Sequence, residues 1–284
     1  MKDPIEKLVE IIRKNNVNCK FNLIEVGAAK LGKKEERFYK ILDFFPDSNI
    51  IGFEIEKEVC DKMNSEAAKG IKYFPYALGE KNEKRKLYVT QDPNCTSLYK
   101  PNENFLKLYH ELQYVNLKKE TEIETITLET FVDRHSIDEI DFIKIDVQGA
   151  ALDVFKGSKK LLNNVLKIVC EVEFVPLYQD QPLFGDVSKF LSNYNLMFNK
   201  FLKLSGRTLK PLIANKDPTI ASQHMWTDAV FIQNFEKIKN LSDEKLLKLS
   251  LLAAIYNSLD LTFFCLSIYD KRNESTLAKD WMSN

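Results

Sequence analysis

The segment from Asp141 to Gly157, DFIKIDVQGAALDVFKG, contains a carboxylate that packing alone does not explain. Its apolar residues predict a buried strand, yet Asp146 lies among them, and aspartate is depleted in strands and costly to bury. Gly149 ends the predicted strand, and Ala150 to Lys156 has helical spacing. Asp146 is therefore expected near the carboxyl end of a strand, where open α/β sheets bind ligands. Taken alone, it could equally be a solvated edge residue.

A second acid precedes a turn of small residues in IEVGAAKLG, Ile24 to Gly32. Glu25 is expected at the end of a strand, Gly27 tolerates positive φ, and Ala28 is small, so the backbone can approach a ligand closely. The spacing ExGxxxxG differs from the GxGxxG pattern of dinucleotide sites. Because an acid before the turn would repel phosphate, the turn favours a nucleoside ligand with a positive charge.

A third acid ends the next predicted strand, in GFEI, Gly52 to Ile55. Glu54 follows the glycine turn at the distance, about 20 to 30 residues, at which an acid accepts hydrogen bonds from ribose hydroxyls. Glu56 is an alternative, since alternate residues of a strand share a face. Three acids at the ends of successive strands favour a nucleoside-binding site over three unrelated surface carboxylates.

Composition excludes several other classes of protein. The 284 residues include 41 Lys plus Arg and 41 Asp plus Glu, so no net field attracts nucleic acid or anionic lipid. Five cysteines are widely spaced without a CxxC pair, which predicts neither a zinc site nor a redox site. The first residues lack the apolar core of a signal peptide, and no apolar run is long enough for a membrane span. We expect a cytoplasmic protein.

Alternating strand and helix patterns predict a parallel sheet covered on both faces. The predicted strands are 22–26, 48–55, 71–78, 86–90, 126–131, 140–147, 165–174, 196–204 and 229–233. The predicted organisation is a packing helix in 1–20, a main domain in 21–234 and a helical extension in 235–284. Residues 91–122 are polar with scattered aromatics and predict an insertion or lid without sheet strands, in which Ser97 and Tyr99 are candidate ligand contacts. The extension is expected to pack on the domain, or alternatively to form a homodimer or docking surface.

The run from Ile140 to Gly157, IDFIKIDVQGAALDVFKG, resembles the most recognisable segment of the FkbM-type methyltransferases. Further similar segments lie between about Asn22 and Asn234, and they are 25–32, 53–54, 77–79, 127–129, 170–184 and 227–231. The resemblance implies an α/β, Rossmann-like methyltransferase fold with a mostly parallel seven-stranded sheet and helices on both faces. It also implies S-adenosylmethionine as the cofactor.

Residue roles follow from the same resemblance. Gly27, Ala28 and Gly32 would line the amino-acid end of the cofactor, Glu54 would hold the ribose, and Asp146 would face the sulfonium and the acceptor. The complete implied cofactor-binding set is Glu25, Gly27, Ala28, Gly32, Glu54, Ile55, Ala77, Leu78, Asp146 and Gln148. Two positions depart from the family pattern: Glu25 stands for the usual aspartate, and Ala151 for a glutamate that commonly follows GA.

Methyl transfer from a sulfonium is an in-line displacement, so the protein mainly positions the acceptor and excludes water. A sugar hydroxyl has a high pKa, so a base or a metal helps. Asp146 could be that base or could bind the cofactor's ammonium group, and a divalent metal is possible but not indicated. The other acid/base candidates are Glu171, Glu173 and His224, and Asp228 is a further one.

Two functions of different class remain open. The first is an S-adenosylmethionine-dependent O-methyltransferase that acts on a hydroxyl of a sugar, a glycan or a small secondary metabolite. The second is a non-catalytic module of the same fold that binds the cofactor or an acceptor, which Ala151 would permit. A nicotinamide dehydrogenase is disfavoured because the chain lacks GxGxxG. Expected partners are a small-molecule or glycan acceptor and a possible second copy bound through the C-terminal helices, with no nucleic acid.

Overall fold

The computed structural model describes residues 3–14, 19–28 and 36–283, so Gly32, one of the predicted cofactor contacts, lies outside the described residues. The strands are β1 (Asn22–Val26), β2 (Asn49–Phe53), β3 (Ile71–Phe74), β4 (Ala77–Leu78), β5 (Glu83–Thr90), β6 (Leu117–Ile126), β7 (Phe142–Ile145), β8 (Lys167–Glu173), β9 (Leu196–Ser205) and β10 (Trp226–Gln233). The helices are α1 (Pro4–Lys14), α2 (Lys40–Phe44), α3 (Lys57–Glu66), α4 (Glu103–Leu106), α5 (Leu128–His135), α6 (Ala151–Lys156), α7 (Lys159–Leu162), α8 (Phe184–Ser192), α9 (Phe235–Lys239), α10 (Asp243–Ile255), α11 (Leu259–Asn273) and α12 (Leu277–Met282).

Seven strands form the central sheet in the order β3-β2-β1-β7-β8-β10-β9. The strands from β3 to β8 pair in parallel, and β10 runs antiparallel to both of its neighbours. The middle strands are nearly continuous apolar runs because helices cover both of their faces. One face packs on α1, α2 and the C-terminal helices, and the other packs on α5 to α8. The predicted seven-stranded, mostly parallel sheet is confirmed.

A second sheet of three strands, in the order β4-β6-β5, corrects three predictions. The run 71–78 is two strands in different sheets, and Pro75, which cannot donate to a ladder, lies between them. The predicted strand 126–131 is wrong beyond Ile126, because Thr127 caps helix α5 through a hydrogen bond from Thr130 N to its Oγ1 at 3.0 Å. The segment 91–122 does contain sheet residues, since β6 begins at Leu117.

The C-terminal helices belong to the layer that covers the first face of the sheet. Every residue of α10 from Leu246 to Ile255 is buried. The two ends of the chain also meet there, since Trp281 Nε1 donates to the carbonyl of Pro4 at 2.9 Å. Leu259 and Phe263 of α11 remain 47% and 42% exposed, so a homodimer through these helices, which stays a prediction, would use α11. Within the described ranges, no helix combines the length and the apolar character needed to cross a bilayer.

Candidate functional site

A cavity of about 260 Å³ opens at the carboxyl ends of β1, β2 and β7, which is the ligand-binding edge of an open parallel sheet. The insertion closes its opposite side. Of the predicted cofactor contacts, the lining includes Gly27, Glu54, Ile55, Ala77, Leu78, Asp146 and Gln148. The other lining residues are Val26, Phe53, Glu56, Val59, Tyr76, Leu87, Pro93, Asn94, Thr96, Ser97, Leu98, Val147 and Ala150. The fold therefore places most of the cofactor contacts predicted from the sequence around one cavity.

Glu54 follows the last residue of β2 and is 7% exposed, so its carboxylate lies inside the protein. The backbone N–H of Glu56 donates to Glu54 Oε1 at 3.0 Å, which orients the side chain. The apolar side chains of Phe53 and Ile55 flank it in the lining. A fixed, buried carboxylate beside an apolar wall is suited to accept hydrogen bonds from the hydroxyls of a ribose.

Gly27 lies in the turn after β1 with φ of +80°. A Cβ atom at this position would lie 1.9 Å from the carbonyl oxygen of Asp146. The N–H of Gly27 donates to the carbonyl of Phe53 at 3.1 Å, and that of Ala28 donates to the same oxygen at 2.9 Å. Glycine is needed here because two strand ends approach closely, and not only because a ligand does.

Two residues predicted to bind the cofactor, Glu25 and Ala28, do not line the cavity. Ala28 is buried against Cys60 and Tyr73 and does not line the cavity. Glu25 is 4% exposed, also lies outside the lining, and accepts a hydrogen bond from the hydroxyl of Tyr39 at 2.5 Å. Burial, followed by the charge of Glu25, raises the pKa of Tyr39 well above its ordinary value, so Tyr39 remains a donor. Glu25 acts within the body of the domain, through this hydrogen bond.

Three candidate acids meet beside the cavity. Asp146 follows β7, and Glu171 and Glu173 share one face of β8, because alternate residues of a strand point the same way. Gln148 Nε2 donates to Asp146 Oδ1 at 2.8 Å and to Glu171 Oε2 at 2.6 Å. Asp146 lines the cavity directly, while Glu171 and Glu173 do not line it.

Burial and repulsion change the protonation of these acids. Burial first, and then the charges of Asp146 and Glu173, raise the pKa of Glu171 well above its usual range. Burial and the charge of Asp146 raise the pKa of Glu173 to about 8, although the side chain of Gln181 and the backbone of Gly149 act in the opposite direction. Carboxyls this close cannot all be ionised. Glu171 and Glu173 are therefore expected to carry protons at neutral pH.

The remaining catalytic candidates lie outside this cluster. The buried Lys144 Nζ forms an ion pair with Oδ1 of the partly exposed Asp228 at 2.8 Å. Burial alone would lower the pKa of Lys144, but Asp228 and Asp146 raise it, so it stays charged. His224 is exposed before β10 and does not line the cavity. Ala151 is 4% exposed within the apolar cluster on α6, where it offers no polar group.

The insertion supplies contacts that the sequence did not identify. Pro93 to Leu98 contribute to the lining, and Ser97 Oγ donates to the carbonyl of Gln148 at 2.6 Å. Ser97 was a predicted ligand contact, whereas Tyr99 instead contacts Asp153, with its hydroxyl 3.1 Å from Oδ2. Tyr178 was also missed: its hydroxyl lies 3.1 Å from Gln148 Oε1, and no local spacing signals a contact between residues 30 positions apart.

A metal would need several convergent ligands. Within residues 3–14, 19–28 and 36–283, no group of three or more His, Cys, Asp or Glu side chains is arranged to hold one. Two of the three acids beside the cavity, Asp146 and Glu171, instead share the amide of Gln148 as a hydrogen-bond donor.

Solved structures show distant similarity. A SAM dependent methyltransferase from Aquifex aeolicus is 9% identical, with 82% of this chain and 100% of that chain covered and a TM-score of 0.31. LepI in complex with SAM is 6% identical over 80% of this chain and 46% of that chain, with a TM-score of 0.35. An uncharacterized protein from Listeria monocytogenes serotype 4b is 10% identical over 100% of both chains, with a TM-score of 0.35. Scores this low carry no argument about function.

Comparison with curated protein sequences gives no significant match. A family model does match: the methyltransferase FkbM domain aligns with residues 26–196, which is more than half of the chain and includes β2, β7 and the last residue of β1. The chain therefore belongs to the methyltransferase FkbM family.

Proposed function

We propose that this protein transfers a methyl group from S-adenosylmethionine to a hydroxyl of a sugar, a glycan or a small secondary metabolite. The observation that carries the proposal is the charge of the cavity. Among the described residues of its lining, Glu54, Glu56 and Asp146 are acidic and none is Lys, Arg or His. Such a lining favours a cationic nucleoside and disfavours the pyrophosphate of a dinucleotide, which needs N–H donors or basic groups.

Different residues of the cavity are suited to different portions of the cofactor. Glu54 would accept hydrogen bonds from the ribose hydroxyls, and the buried Ala77 and Leu78 would pack against the adenine. Asp146 would lie toward the positively charged end, where a carboxylate stabilises a cation without a metal. Gly27 keeps the ends of β1 and β7 close enough for these groups to share one cavity.

When bound, S-adenosylmethionine supplies an electrophilic methyl group on a sulfonium. The protein's part is to hold the acceptor oxygen at near-attack distance and to keep water out. The insertion residues Pro93, Asn94, Thr96, Ser97 and Leu98, which line the cavity, would contribute to excluding water. Asp146 would accept the hydroxyl proton at its carboxylate. Glu171 and Glu173, protonated beside it, cannot act as bases at neutral pH, but Glu171 can donate a hydrogen bond.

Calorimetric titration and a transfer assay test the proposal together. S-adenosylmethionine should bind more tightly than NAD, and a panel of sugar nucleotides, glycans and phenols should contain at least one methyl acceptor. Tighter binding of NAD would contradict the proposed cofactor. Binding of S-adenosylmethionine without transfer to any panel member would instead favour a non-catalytic module, the alternative that Ala151 raises.

A further inference from the structure

Gln148 has an unusual backbone conformation for its residue type. Its φ is +50°, in the left-handed region that residues with a Cβ rarely adopt. Strain of this kind persists only where the surroundings fix the residue, and it concentrates at functional sites. The conformation turns the side chain of Gln148 back toward Asp146, two residues earlier.

The side chain of Gln148 uses all of its main hydrogen-bonding positions. Its two N–H groups are directed to Asp146 and to Glu171, at 2.8 Å and 2.6 Å. Its oxygen lies 3.1 Å from the hydroxyl of Tyr178, which is buried. Rotating the amide by half a turn would place its oxygen against two carboxyl groups and its nitrogen against the tyrosine. Tyr178, whose single proton is shared between Gln148 Oε1 and the carbonyl of Cys95, therefore supports the orientation in which both N–H groups face the acids.

The same residues are tied to the segment that closes the cavity. The hydroxyl of Tyr178 lies 3.0 Å from the carbonyl of Cys95, and the carbonyl of Gln148 accepts a hydrogen bond from Ser97. Gln148 thus lies between the insertion and the carboxyl pair of Asp146 and Glu171. Movement of the insertion would change the contacts of the amide that holds the pair.

We propose that Gln148, oriented by Tyr178, is a positioning residue that holds Asp146 toward the cavity as the base of the methyl transfer, an inference that rests on the proposed function. A neutral amide stabilises negative charge on the pair without adding positive charge to a site that must accept a cation. Lys144, which acts on this pair electrostatically, is already paired with Asp228.

Several titratable groups face this pair, and each contributes to its charge. The neighbouring strands and loops contribute Lys144 from β7, Glu173 from β8 and Tyr178 from the loop after β8, while Asp228 from β10 acts on Lys144 and Cys95 from the insertion acts on Tyr178. Tyr178 keeps its proton because burial raises its pKa well above the ordinary value. At acidic pH the pair takes up a second proton and loses its charge, so binding of a cation weakens. Without the amide donors, this loss should begin at a higher pH.

The test is the pH dependence of S-adenosylmethionine affinity, measured by calorimetry from about pH 5 to pH 8 on the full chain. In Gln148→Leu, the midpoint of the affinity loss should move upward by about one pH unit, because a hydrogen bond to a charged group changes an ionisation constant by about tenfold. Tyr178→Phe should move it in the same direction by less. Tyr109→Phe is the matched control, since Tyr109 lies in the same apolar cluster and its hydroxyl contacts Gln223 instead.

Profiles of Gln148→Leu and Tyr178→Phe that superimpose on the wild type would overturn the positioning role. If Gln148→Leu fails to fold, the nearly isosteric Tyr178→Phe still decides the question against its control. Failure of the wild type to bind S-adenosylmethionine at any pH would instead refute the proposed function and, with it, this inference. A role in packing alone would change the melting temperature of both tyrosine variants and shift neither profile.

Discussion

Replacing Glu54 by glutamine is the sharpest test of the proposed cofactor site. The amide oxygen of the variant can still accept the N–H of Glu56, which lies 3.0 Å from the wild-type Oε1. The other carboxylate oxygen becomes an NH₂ group, which cannot accept a hydrogen bond from a ribose hydroxyl. A hydrogen bond to a charged group contributes about 1.5–3 kcal/mol, so affinity for S-adenosylmethionine should fall roughly 10- to 150-fold.

The assay is calorimetric titration of Glu54→Gln, with S-adenosylhomocysteine as a second ligand because both carry the same ribose. Both ligands should weaken by the same factor. Glu58→Gln removes an exposed charge from the first turn of α3, outside the cavity, and should leave both affinities unchanged. An affinity of Glu54→Gln within about twofold of the wild type, too small for a lost charged hydrogen bond, would refute the ribose role.

Three further outcomes are expected. Asp146→Ala should lower turnover by about 10²- to 10⁴-fold while circular dichroism stays native, and unchanged turnover would remove Asp146 as the base. Gly27→Ala should lower the free energy of unfolding in urea by about 3 kcal/mol or more, whereas Gly185→Ala, whose Cβ meets nothing within 4 Å, should not destabilise the protein. Glu173, with a pKa of about 8, binds a proton in the folded state that the unfolded state releases above about pH 4.3. Wild-type stability should thus fall as pH rises toward 8, and stability of Glu173→Gln should fall less steeply, because Glu171, whose pKa is also raised, still contributes; parallel urea-denaturation profiles would contradict this.

Local patterns predicted the fold well where one residue type decides the geometry. Strand β1, Asn22–Val26, was predicted to the residue, because its apolar residues Leu23, Ile24 and Val26 end at a glycine. The predicted strand from Ile126 to Phe131 was wrong beyond Ile126, because the side chain of Thr127 caps helix α5. The capping hydrogen bond from Thr130 N to Thr127 Oγ1 begins a helix where a strand was expected.

The sequence predicted those site residues that have a local signal and missed those that only the fold brings together. Asp146 and Glu54 can be recognised as site residues from the sequence, because an acid at the end of a strand is locally unexpected. The partners of Gln148 are not visible, since Glu171 and Tyr178 lie 23 and 30 positions away and only the fold brings them together. The different directions of Glu25 and Glu54, both at strand ends, likewise depend on Tyr39, which packs against only one of them.

The position of β10 between β8 and β9 constrains the order in which the strands of the central sheet can pair during translation. Translation delivers β8, then β9, and only later the strand that must lie between them. In the central sheet β9 pairs with β10 alone, so it cannot join the sheet before residue 233 has been made. Until then the nascent chain presents the open edge of β8, a template for pairing with other chains. This interval of elongation is where the protein would most need a chaperone.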